Sequence, residues 1–184
     1  MSTRKSYQEG KGPSTPWGRA QYSLTFARGV ASVGCAGHGG IRVSRGLAKK
    51  KILPEVLKAA IETPGYFWFE EDCAYSLVVL SMKDLFFDPQ IIESAKNSAR
   101  NYFPEEYELI TGEKVDPKDS YSLQRSAFFA STNDRFVVWS ARNKDGMVEV
   151  HARRASDKAE QTAMVSKEDY DGRGEFGYIL PIAS

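Results

Sequence analysis

Residues 21–44 restrict the fold of this chain more than any other stretch. From 21 to 26 polar and apolar residues alternate, with Tyr22, Leu24 and Phe26 on one side and Gln21, Ser23 and Thr25 on the other. That two-residue period is the mark of a half-buried strand. Arg28-Gly29 supplies a turn, residues 30–35 form a second β-type run with Ala31, Val33 and Cys35 sharing a face, and residues 41–44 form a third with Ile41 and Val43 inward. Parallel strands need a crossover of a dozen or more residues, so connections this short predict an antiparallel meander. Its second connection carries the densest glycine cluster of the chain, Gly34-Cys35-Ala36-Gly37-His38-Gly39-Gly40. One of the two cysteines and one of the two histidines meet special backbone there, which makes the bend the first candidate site.

The remaining segments are read in order. Residues 1–14 have little to bury and are rich in turn formers, predicting a flexible N-terminal arm ahead of one α+β domain over 15–184. A short helix is expected from Pro54, with Val56, Leu57, Ala60 and Ile61 on its apolar face. Pro64-Gly65 stops it, and the aromatic run Tyr66-Phe67-Trp68-Phe69 follows. Glu70-Glu71-Asp72-Cys73 is expected to open a buried helix that runs to Met82. Asp88 before Pro89 predicts a capped third helix through Phe103, followed by a short one from Pro104 to Gly112. Residues 121–131 suit either helix or strand. Residues 136–141 and 147–153 flank Asn143-Lys144-Asp145-Gly146, a hairpin signature; Val148, Val150 and Ala152 share one face of the second strand, leaving Glu149, His151 and Arg153 outward. Residues 162–165 read as a strand, Ser166 with Asp169 as a capping box, and residues 175–180 as a final strand. Strands from both ends of the chain around a central helical segment predict an α+β fold.

Charge narrows the function classes. The 25 basic and 24 acidic side chains leave a net charge of +1, which argues against an acidic DNA mimic and gives no global footprint for nucleic acid or membrane. The N-terminus is polar where a secretory leader needs an apolar run of about 7 to 15 residues, and two cysteines are too few for a disulfide framework. The expectation is a cytoplasmic protein with reduced thiols and no membrane association.

Four separated motifs, Thr15-Pro16-Trp17-Gly18-x-Ala20-Gln21, Ala36-Gly37-His38-Gly39-Gly40, Glu70-Glu71-Asp72-Cys73-Ala74 and Tyr170-x-x-Arg173-Gly174-x-Phe176-Gly177-Tyr178, resemble an uncharacterised domain family of bacteriophage and plasmid proteins. The resemblance covers most of residues 15–180 and implies a genetic setting rather than a mechanism: mobile elements, whose small accessory proteins often inhibit host defence. A Trp usual after Cys-Ala in that family is Tyr75 here.

The chemistry-bearing residues admit several readings. Cys35, His38, Cys73 and His151 have the stoichiometry of structural zinc, but zinc ligands usually come in two close pairs and here the second pair is split by nearly eighty residues, so neither a metal nor a cofactor is expected. Cys35 with His38 could form a nucleophile and base, although the alternation turns Cys35 inward. Glu70, Glu71 and Asp72 could hold Mg²⁺ for phosphoryl chemistry, or simply complement a helix dipole. Arg42, Arg45, Lys49, Lys50 and Lys51 form a basic stretch beside the bend, with Tyr66 to Phe69 as stacking faces for nucleic acid. Trp17, Arg19 and His38 complete the candidate contact residues.

The leading expectation is a non-enzymatic accessory protein that binds and inhibits a host defence protein. The alternatives are a nucleic-acid-binding module using residues 42–51 and a hydrolase centred on His38.

Overall fold

The computed structural model describes residues 3–181, and its backbone begins with a strand where the sequence reading placed an arm: β1 (Thr3–Ser6) pairs antiparallel with β4 (Tyr22–Ala27). An edge strand needs only backbone partners on one side, so a stretch with no apolar face can still be ordered. Between them, β2 (Ser14–Thr15) and β3 (Gly18–Arg19) make a two-residue ribbon. The predicted meander is present as β4, β5 (Val30–Gly34) and β6 (Gly39–Ser44), paired antiparallel in sequence.

Three differences follow β6. The lysine run lies on an unforeseen helix, α1 (Arg45–Lys51). The Pro54 helix, α2 (Pro54–Leu57), lasts one turn, because Ile61 leaves it to join β7 (Ile61–Glu62). The aromatic run is a strand, β8 (Tyr66–Glu70), between β6 and β7. Its residues 67–69 are all buried, and a strand covered on both faces loses the alternation that would have announced it. The sheet order is β1-β4-β5-β6-β8-β7.

Cross-strand register assigns the two faces. Ile41 stands opposite Phe69 and Val43 opposite Phe67; Ile41 also lines a cavity with Val79 and Ile91 on the helical side. The other face carries Val33 and Trp68, packed with Ala20, Tyr7, Trp17 and Tyr66. The helices are α3 (Tyr75–Ser81), buried from Ser76 through Leu80, α4 (Pro89–Tyr102) and α5 (Pro104–Thr111). As the sequence predicts, Asp88 caps α4 by accepting from the Gln90 N–H at 2.9 Å, and α5 ends on Gly112. α3 opens at Tyr75 and has no acid in its first turn, so Glu70, Glu71 and Asp72 end a strand and form a turn instead of starting a helix.

The chain divides into two compact units, Met1–Ser122 and Leu123–Ser184, where the sequence reading drew one domain. α6 (Tyr121–Ser131) resolves the helix-or-strand ambiguity. Beyond it, β9 (Phe136–Lys144), β10 (Met147–Arg154) and β11 (Glu160–Val165) form an antiparallel sheet ordered β11-β10-β9, and α7 (Lys167–Asp171) starts at the predicted Ser166 cap. Val148, Val150, Ala152, Val165 and Leu180 make the core of this sheet. Glu149, read as outward, is 7% exposed because Arg142 Nε and Lys144 Nζ donate to it at 2.6 and 2.7 Å. The expected last strand is reduced to isolated bridges at Gly174, Gly177 and Ile179. Helices and antiparallel sheets among the described residues make the fold α+β.

Candidate functional site

The glycine hairpin is built from close approaches. Cys35 N–H donates to the His38 carbonyl at 2.7 Å, which places Ala36 and Gly37 at the tip, and none of Gly37, Gly39 and Gly40 has a φ in the left-handed region. What requires glycine is space. A Cβ at Gly40 would collide with the Phe69 carbonyl oxygen and stand 2.6 Å from the Trp17 ring. At Gly39 it would collide with a Glu71 carboxylate oxygen and stand 2.9 Å from the Val33 carbonyl. Successive strand residues point to opposite faces, so Trp17 and Glu71 clasp the hairpin from its two sides and do not converge on one cleft.

His38 is exposed at the hairpin, and its ring makes no hydrogen bond or ion pair among the described residues. The Cys35 thiol is partnered by the Thr15 hydroxyl at 3.2 Å. Trp17, half-buried, packs edge-on to Trp68 with ring centres 6.0 Å apart, and the Trp68 indole N–H donates to Thr63 at 2.9 Å. Trp17 is thus a core residue of this face. Arg19 donates to the Gly12 carbonyl at 3.2 Å.

The basic stretch is dispersed. The Arg42 guanidinium lies 4.9 Å from the centre of the Tyr66 ring, and Arg45 is ion-paired to Glu62. Lys49, Lys50 and Lys51 fill the last turn of α1, where their charges complement the helix dipole. At about 100° per residue, three consecutive lysines also spread around the helix instead of sharing one face. Among the acids, Glu70 accepts from the Asp72 N–H at 2.8 Å, and its carboxylate lies near Cys73, whose thiol is pushed up first by burial and then by Glu70. Among the described residues no group of three or more His, Cys, Asp or Glu side chains comes close enough to hold a metal ion.

The residue that does gain a setting is Glu71. Its backbone N–H donates to the Gly39 carbonyl at 3.0 Å, and its side chain reaches the edge of a cavity of about 290 Å³ between the sheet and the helices. Phe26, Ile41, Tyr75, Val79, Phe86 and Ile91 supply the apolar lining. Phe26 and Phe86 are in ring contact at 5.1 Å, and the Tyr75 hydroxyl is hydrogen-bonded to Ser94 at 3.2 Å. Beside this cleft Ile91 is 42% exposed and Phe87, next to Phe86, is 90% exposed. Of these residues only Tyr75 stood out in the sequence, as a departure from the motif; Phe26, Ile41 and Val79 served as apolar positions of a strand or helix, and Phe86, Phe87 and Ile91 carried no assigned role.

No helix among the described residues is long and apolar enough to cross a membrane. No curated protein and no solved structure matches the chain. A family model does match, over residues 10–133, which spans the glycine hairpin and the cleft and stops before the Tyr170 to Tyr178 motif. The chain belongs to the family defined by the domain of unknown function DUF7007.

Proposed function

We propose that this protein is a non-enzymatic accessory protein of a mobile element, phage or plasmid, that acts in the host cytoplasm by binding and inhibiting a host defence protein. The observation that carries the binding role is the apolar cleft in the first unit, with Phe87 and Ile91 left facing water beside it. Aromatic side chains in such a position are the usual anchors of interfaces, and burying one fully is worth about 1.5–3 kcal/mol. The setting in a mobile element, and with it the choice of a defence protein as target, rests on the resemblance of the Trp17, His38 and Glu70 motifs to phage and plasmid proteins.

The test is cross-linking in the natural host, purification and mass spectrometry, with nuclease treatment as a control. One host defence protein should be recovered, resist nuclease, lose its own activity when the purified chain is added, and fail to be recovered with Phe87→Asp. Recovery that nuclease abolishes, or a recovered protein whose activity is unchanged, overturns the proposal.

A further inference from the structure

Resting on that reading, we infer that the cleft recognises an arginine side chain presented on the surface of the partner protein. Glu71 is exposed, and its carboxylate makes no hydrogen bond or ion pair among the described residues. Several other carboxylates of this chain do have one: Glu62 with Arg45, Glu108 with Lys114, Glu149 with Arg142 and Lys144, Glu160 with Arg153. The Glu71 backbone is tied to Gly39, and its carboxylate lies in the space that a Cβ at Gly39 would take, so the glycine leaves room for the carboxylate over the hairpin and at the cavity edge.

The walls beside it match the rest of an arginine. The aliphatic stem can lie along Val79, Phe86 and Ile91 while the planar guanidinium reaches Glu71 and stacks on the rings of Phe26 and Tyr75. Arginine buries its methylenes on apolar surface, stacks on aromatic faces and pairs with a carboxylate through two N–H donors. An alkyl or neutral aromatic side chain would fill the apolar lining but leave Glu71 unpaired and partly desolvated, which costs free energy rather than adding it. The charge of the rim therefore selects the occupant, while the lining alone would not.

The experiment is an NMR titration of the labelled protein with a short acetylated, amidated Gly-Arg-Gly peptide and with the same peptide carrying citrulline, which keeps the shape and removes the charge. The arginine peptide should shift the amide signals of Gly39, Gly40, Glu71 and Ile91, and the citrulline peptide should bind at least about tenfold more weakly, equivalent to about 1.4 kcal/mol. In Glu71→Gln, with an otherwise unchanged spectrum, the preference for arginine should disappear. Equal binding of the two peptides to the wild-type protein, or no shift around the cleft, overturns the inference without using any variant. Host-protein recovery that survives Glu71→Gln but not Phe87→Asp would sink the arginine pocket and leave the wider proposal standing.

Discussion

The hairpin joining β5 to β6 and the hairpin joining β9 to β10 look alike as sequence, each a strand-forming pair interrupted by glycine, yet their glycines answer to different constraints. In the second, Asp145 and Gly146 have φ of 50° and 79° and nothing lies within 4 Å of where a Gly146 Cβ would sit. The need there is for a left-handed backbone, the signature of a two-residue turn matched to strand twist. In the first hairpin the backbone is ordinary and the surroundings are crowded: Trp17 and the Phe69 carbonyl press on Gly40, Glu71 and the Val33 carbonyl on Gly39. One glycine is dictated by its own peptide and the other by residues distant in sequence.

Substitutions separate the two causes. Gly40→Ala should be the most damaging, near the upper end of the roughly 1–3 kcal/mol typical of overpacking, because one of the atoms it strikes is backbone and cannot rotate away. Urea unfolding measures it, and a loss under about 0.5 kcal/mol, the range of inert surface changes, would dissolve the distinction. Gly146→Ala should cost about 1–2 kcal/mol from left-handed strain alone. Most of that loss should return in Gly146→Asn, since asparagine tolerates the conformation; an asparagine variant as unstable as the alanine one would mean that crowding matters there too.

The second hairpin should also carry a pH effect of its own. Hydrogen bonds from Lys144 and then Arg142 hold Glu149 below the usual carboxylate range, and past the other end of β10 Arg154 and the Ala159 N–H bring Asp157 from 3.8 to about 2. A carboxylate whose pKa is lower in the folded state adds stability above its unfolded pKa and loses it as pH falls through the folded one. The protection factors of the β9 and β10 amides, taken against intrinsic exchange at each pH, should therefore fall as pH drops from about 4 towards about 2, and fall less in Glu149→Gln, a substitution that should leave the protection of β5 and β6 unchanged. An equal response of both sheets to Glu149→Gln would remove the contrast. The smallest effect is expected at the tip of the first hairpin: Gly37 has neither a left-handed φ nor a neighbour within 4 Å of its missing Cβ, so Gly37→Ala should stay within about 0.5 kcal/mol, measured in the same urea series.

The same division runs through the rest of the molecule. Asp88-Pro89, Ser166 with Asp169 and Asn143-Lys144-Asp145-Gly146 each occur where the sequence places them, since caps and tight turns are satisfied by atoms within a few residues. The aromatic strand at Tyr66 to Phe69 was hidden by being covered on both faces, and α1 by a lysine run that reads only as a basic stretch with no apolar period. Of the candidate site residues, the sequence could mark Trp17, Cys35, His38 and Glu71 as unusual. It could not tell that Trp17 is core packing on Trp68, that Cys35 meets Thr15, or that Glu71 stands over an aromatic-lined cleft.

By itself, then, the amino-acid sequence determined the antiparallel meander, the helix capped by Asp88, the α+β class and the place of the second hairpin's glycine, all of which follow from periodicity and from backbone preferences of neighbouring residues. Only the tertiary structure decided that Gly39 and Gly40 exist to let Glu71 and Trp17 close on opposite faces of one strand, that Glu149 is drawn in under two cations, and that Phe86 is buried while Phe87 is not. Each of those outcomes depends on which distant side chain arrives at a given point in space, and a one-dimensional pattern records the spacing of residues along the chain but not their approach to one another.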